Sequence, residues 1–216
     1  MKKIITILTP LFLLLTVVAK AEVGIGITGA FHSFDASGTE TTRESEEKNT
    51  GSHSNEVLVP ELFVESIADN GFTLGISYIP VRELGSKSRT DAESPSDSDS
   101  DDGTYTAKAE LENVIQLYAD IPLGSYPFYV KLGMQHVTLS TLESLNSGTT
   151  YPDADLMGYT YGLGHKGDLP YGNNMYYKVE ATYTDFDDYT NSATTGNKLE
   201  ADFDDTAVKL SVGYKF

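Results

Sequence analysis

The sequence predicts an all-β chain folded as a closed, antiparallel, up-and-down transmembrane β-barrel of eight strands. Three observations carry that prediction. Apolar residues recur with period two in segment after segment, separated by small, polar or charged ones. Short turns alternate along the chain with long polar connections. After Val18, no stretch is long and apolar enough for a membrane helix.

The N-terminus reads as a leader. Lys2 and Lys3 form a positive region, Ile4 to Val18 an apolar one, and Ala19-Lys20-Ala21 a small-x-small cleavage site. A signal peptide over 1–21 leaves 22–216 as one β-barrel domain. Its removal takes away Lys2, Lys3 and Lys20, so the 15 basic and 32 acidic residues become 12 and 32, a net charge near −20. Such a chain repels polyanions, which excludes nucleic acid and leaves divalent cations or basic surface partners open. There is no cysteine. An exported chain without disulfides draws its stability from a core, from closed hydrogen bonding or from the bilayer, and it lacks the thiol of a lipid anchor.

The last segment alternates most cleanly. Val208, Leu210, Val212, Tyr214 and Phe216 oppose Lys209, Ser211, Gly213 and Lys215. Met175 to Thr184 and Phe128 to Gln135 follow the same pattern. Weaker copies run over Val23–Phe34, Phe72–Val81, Leu111–Ile121 and Met157–Lys166, with Asn113 and Val114 breaking the alternation of the third. Asn55–Ser66 carries Glu61 and Glu65 on one face and Leu62 and Val64 on the other. Pro60 removes a ladder donor there and leaves the register open.

Turns at Ala68–Gly71, Pro122–Pro127 and Asp168–Asn173 are short and rich in Gly, Asn, Asp and Pro. The other connections, roughly Asp35–Ser54, Arg82–Tyr105, Leu142–Leu156 and Asp185–Asp205, read as long polar loops. The non-apolar face carries Glu110, Glu112, Lys131, Lys166, Lys178, Glu180, Lys209 and Lys215. In a barrel of eight strands the side chains just fill the interior, so these charges are expected to pair with one another as an interior network. The apolar face then meets hydrocarbon, with tyrosines (Tyr78, Tyr159, Tyr183, Tyr214) near the ends of its stripes.

With its A-x-A leader, eight alternating segments, four long loops and final V-K-L-S-V-G-Y-K-F, the chain resembles the small porin-like outer-membrane barrels of the OmpX and OmpA transmembrane-domain type. The resemblance implies the outer membrane of a Gram-negative bacterium, outer-membrane lipids as surroundings, and a monomer. It also implies that the outer-membrane assembly machinery reads the terminal strand, Val208, Leu210, Val212, Tyr214 and above all Phe216.

Ser96 to Gly103 places Asp97, Asp99, Asp101 and Asp102 in a run that looks like a calcium loop, but its glycine is one place late and the glutamate at the twelfth position is absent. A second acidic rim is formed by Asp185, Asp187, Asp188, Asp202, Asp204 and Asp205. His32, His53, His136 and His165 do not repeat a lipid-deacylase signature. The histidines are read as polar or interfacial barrel residues, and neither catalysis nor a cofactor is expected. These readings imply an integral outer-membrane protein with acidic surface loops, serving structure, adhesion, recognition or cation association. The alternatives are a narrow channel or conduit for small or hydrophobic molecules and, third, an outer-membrane lipid hydrolase.

Overall fold

The computed structural model of the protein describes residues 21–43, 46–91, 103–125, 127–144, 151–170, 173–193 and 196–216. Its regular elements are strands: β1 (Glu22–Thr41), β2 (Lys48–Ile67), β3 (Thr73–Ile79), β4 (Arg82–Asp91), β5 (Gly103–Pro122), β6 (Phe128–Ser144), β7 (Ala154–Asp168), β8 (Met175–Phe186), β9 (Tyr189–Ser192) and β10 (Lys198–Lys215). Two pairs are single staves broken once, β3 and β4 at Pro80-Val81, and β8 and β9 at Asp187-Asp188. Successive staves pair antiparallel, and β1 also pairs with β10 from Gly24↔Lys215 to Thr41↔Lys198. The result is a closed transmembrane barrel of eight staves, in which closure gives every stave a backbone partner on each side. Residues 1–20 of the expected leader, and Asp97, Asp99, Asp101 and Asp102, lie outside the described residues.

The lower part of the wall is built for hydrocarbon. Ile25, Ile27, Leu62, Val64, Ile76, Leu132, Leu163, Val179 and Leu210 point outward and are exposed, while Thr28, Glu61, Glu65, Ser77, Lys131, Lys178 and Lys209, from the same strands, are buried within. A tight turn joins β2 to β3 at this end: Ala68 N–H donates to Phe72 O at 2.8 Å and Gly71, at φ 84°, donates back to Ala68 O. A left-handed φ of that kind suits glycine, which has no Cβ to clash. Pro60 fits because it sits opposite Gly29 on β1 and points outward, while the ladder to β3 begins only at Leu62↔Tyr78.

At the other end the structure corrects the expected long loops. Most of Asp35–Ser54 is strand, and Thr42 N–H donates to Glu47 O at 2.9 Å where β1 passes to β2. Strand also covers 82–91 and 103–105 of the second expected loop, 142–144 and 154–156 of the third, and 185–186, 189–192 and 198–205 of the fourth. The reason is an inversion of phase. Past Phe31, Leu58, Tyr183 and Val208, the apolar residues move to the inward positions and the polar ones to the outward positions. Phe34, Val59, Ile79, Leu84, Leu111, Val114, Val137, Leu139, Leu156, Phe186 and Tyr189 pack together inside as one core. Asp35, Glu56, Asp155 and Asp202 face outward. This half is organised like a soluble barrel, apolar within and polar without, and ladder pairing therefore continues far beyond the lipid-facing stripe.

Candidate functional site: the lumen

The lumen carries charge at two levels. In the lower one, Lys178 Nζ lies 2.9 Å from Glu65 Oε2, 3.0 Å from Asp120 Oδ2 and 3.9 Å from Glu180 Oε1. Lys131 Nζ lies 2.8 Å from Glu180 Oε1 and 3.1 Å from Asp120 Oδ1. Three phenols complete the shell: Tyr118 and Tyr176 donate to the two oxygens of Glu65, and Tyr129 donates to Glu180. The Lys131 ammonium also sits 3.5 Å from the Tyr118 ring centroid, a close cation–π contact. Charges removed from water are tolerated only when paired and hydrogen-bonded, and these carboxylates meet both conditions.

The aromatic rings fit because glycine faces them. A Cβ on Gly164 would lie 2.1 Å from Tyr129 Cζ, one on Gly75 2.3 Å from Tyr118 Cζ, and one on Gly213 2.4 Å from Tyr176 Cζ. Above this level is a neutral belt, with Thr28 bonded to Ser211 at 2.7 Å. Beside it, Gln116 Nε2 donates to Thr160, which bonds Thr184.

The upper level joins β1, β2, β4 and β10. His32 Nδ1 lies 2.7 Å from Asp205 Oδ2 and its Nε2 3.2 Å from Glu61 Oε1. Lys209 Nζ donates to Glu61 at 2.8 Å. Arg82 is fully buried beneath Phe34, 4.8 Å from the ring centroid, with Nη1 3.3 Å from His32 Nδ1 and 4.0 Å from Asp205 Oδ2. The apolar core begins immediately above, where Phe34 is two residues along β1 from His32.

Of the residues read from the sequence as an interior network, the structure brings Lys131, Lys178 and Glu180 together and pairs Lys209 with Glu61. Lys166 is half-buried and donates to Gly71 O at 2.6 Å and Thr73 Oγ1 at 2.9 Å. Lys215 lies at the rim, paired with Asp168 at 2.9 Å and Glu22 at 3.7 Å. Glu110 and Glu112 are a correction. A bulge between Glu112 and Ile115, with Asn113 at φ 53°, reverses the phase of β5, so that Leu111 and Val114 turn inward. Glu110 pairs instead with the half-exposed Lys108, which Glu110 and Glu83 hold above the usual lysine range by hydrogen bonding.

Asp120, Tyr118, Tyr129, Tyr176 and Arg82 complete the lumen beyond the residues read as its network, and Asp205, read as part of the outer acidic rim, is a correction: it is buried inside against His32. Parity alone marked Asp120 and Tyr118, which alternate with Leu117, Ala119 and Ile121. No periodic signal marked Arg82 or Asp205, because each stands where the phase inverts. Val208, Leu210, Val212, Tyr214 and Phe216 all point outward on the closing stave, with Phe216 71% exposed and its N–H donating to Val23 O at 2.9 Å.

The other histidines are wall residues. His165 lies between Phe128 and Tyr177, with ring centroids at 5.0 and 5.7 Å. His136 faces outward, and His53, expected in a loop, is on β2 against Gly85. Outside the barrel, Asp35, Asp204 and Asp185 stand opposite one another on adjacent strands. Partial burial, then the charges of Asp35, Asp185 and Asp205, hold the Asp204 carboxyl above the usual range; a hydrogen bond with Asp188 does the same first of all for Asp202.

An apolar wall around a paired ionic lumen, closed by antiparallel staves, defines the class: a small transmembrane barrel with the fold of the outer-membrane β-barrels. The structure is similar to the outer membrane protein OprG of Pseudomonas aeruginosa, at 16% identity over 92% of this chain and 98% of that one, with a TM-score of 0.53. It is also similar to Ail, the attachment invasion locus protein of Yersinia pestis (14% identity, 88% and 99% covered, TM-score 0.36), and to the outer membrane protease OmpT of Escherichia coli (9% identity, 90% and 97% covered, TM-score 0.49). No family model matches the sequence, and no curated protein matches it.

Proposed function

We propose that the protein is an integral outer-membrane protein of a Gram-negative bacterium whose lumen is sealed and whose work is done at its acidic outer surface, in adhesion, recognition or cation association. The observation that carries this reading is the sequence of fillings along the lumen. Two paired ionic levels and the neutral belt occupy its lower half, and an apolar core occupies the rest. An ion following this path would have to displace Lys178 from two carboxylates and then enter a dry apolar section, both costly steps. Planar-bilayer recording of the refolded protein tests it: no discrete conductance is expected, and regular single-channel steps would exclude the sealed lumen.

One observation favours a second reading, a conduit for small or hydrophobic molecules. The outer half of the lumen is lined by apolar side chains. The ladder between β2 and β3 also ends at Leu62↔Tyr78, next to Pro60 and Pro80, which cannot donate. Uptake of a small apolar dye into proteoliposomes, compared with empty vesicles, is the measurement that separates this reading from the first.

A further inference from the structure

The outer end of the apolar half is covered by a short strap, residues 151–153, which leads into β7. Tyr151 packs against the core, and its hydroxyl donates to Glu40 Oε1 at 2.7 Å. Glu40 lies near the end of β1, and β7 is not a neighbour of β1 in the sheet, so this bond spans the mouth of the barrel. The same Glu40 oxygen accepts from Asn197 Nδ2 at 3.0 Å, and Asn197 Oδ1 accepts from Arg43 N–H at 3.1 Å. Tyr189 donates to Pro152 O at 2.8 Å from the far side, and Thr141 N–H donates to Asp153 Oδ1 at 2.9 Å. One carboxylate thus ties the strap to the connections after β1 and before β10.

We propose that residues 151–153 form a lid over the apolar half of the lumen, with Glu40 as its latch. The inner side of the strap is the Tyr151 ring, and its fastenings among the described residues are polar and lie at the rim, including a bond from Thr141 Oγ1 to Tyr151 O beside those already given. Such a segment opens locally without unfolding the ladder beneath it. Opening withdraws the Tyr151 ring from the mouth and leaves a place for an apolar body of about that size. The use of the lid in admitting such molecules rests on the conduit reading, but its existence does not.

Amide exchange of the refolded protein in bicelles tests the proposal, with folding of each variant checked by its heat-dependent mobility on gels. The Thr141 amide reports the strap directly, because its acceptor is Asp153. Glu40→Ala is expected to speed its exchange about tenfold, the loss of hydrogen bonds to a charged acceptor. Tyr151→Phe, which removes only the hydroxyl, should speed it less, and the amides of Lys131 and Lys178 should keep their protection in both. An unchanged Thr141 amide, or equal acceleration throughout the barrel, overturns the lid. Fluorobenzene is then added: shifted Val137 and Leu139 methyl signals in Glu40→Ala support passage of apolar molecules. A faster Thr141 amide with unmoved methyl signals keeps the lid and removes the conduit reading.

Discussion

Lys178 is the residue on which the lower lumen turns, since its buried ammonium serves Glu65 and Asp120 at once. Replacing it with Met leaves two buried carboxylates short of a cation, and Lys178→Met should lower stability by about 3–5 kcal/mol. Urea unfolding followed by gel mobility measures the loss, and adding Glu65→Gln should recover part of it. The glycines make a second residue-scale prediction. Gly164→Ala drives a methyl group into the Tyr129 ring and should cost about 1–3 kcal/mol by the same assay.

The row Asp35, Asp204, Asp185 predicts a gain instead. A carboxyl held above its usual range keeps its proton longer folded than unfolded. The repulsion is therefore absent below the unfolded pKa and complete once pH has passed the folded one. Asp204→Asn should raise the unfolding free energy read from urea titration at pH 7 by about 0.5 kcal/mol, as for opposed like charges at a partly exposed site. The gain should shrink as pH falls through the raised folded pKa and be gone below about 4, the unfolded value.

At the scale of elements, the bulge in β5 decides more than its one extra residue suggests. Asn113 at φ 53° is the hinge about which the strand exchanges its faces, putting Gln116, Tyr118 and Asp120 inside below and Leu111 inside above. Asparagine tolerates the left-handed region, and a β-branched side chain does not. Asn113→Val should cost about 1–2 kcal/mol, whereas Asn113→Gly should fold with little loss, as seen in the same urea midpoints. The break in alternation at Asn113 and Val114 was visible in the sequence. Its consequence for Glu110 and Glu112 was not, because a periodicity records that phase is lost and not which side resumes.

For the whole molecule, closure joins the two halves into one continuous wall, since β1 and β10 pair along nearly their full lengths. Heating before electrophoresis should shift the band of the refolded protein, because a closed ladder in detergent opens only as a unit; an unshifted band would count against the barrel. The molecule is amphipathic along its axis as well as across its wall. Below, the outside is apolar and the inside ionic; above, the outside is acidic and the inside apolar. A hydrocarbon layer can cover only the first half, so the second stands in water.

The sequence by itself determined the strand segments in the bilayer half, the face each presents to lipid, the tight turns, and an inward face able to carry both signs of charge. Period-two alternation is a local property, set by the pleat, and residues such as Val208 to Phe216 display it without reference to any neighbour. Only the tertiary structure decided that Lys209 meets Glu61, that Arg82 and Asp205 flank His32, and that strands run on into the polar connections with their faces exchanged. Those outcomes depend on register and on which staves face one another across the lumen, and a register is a relation between strands that no single strand encodes.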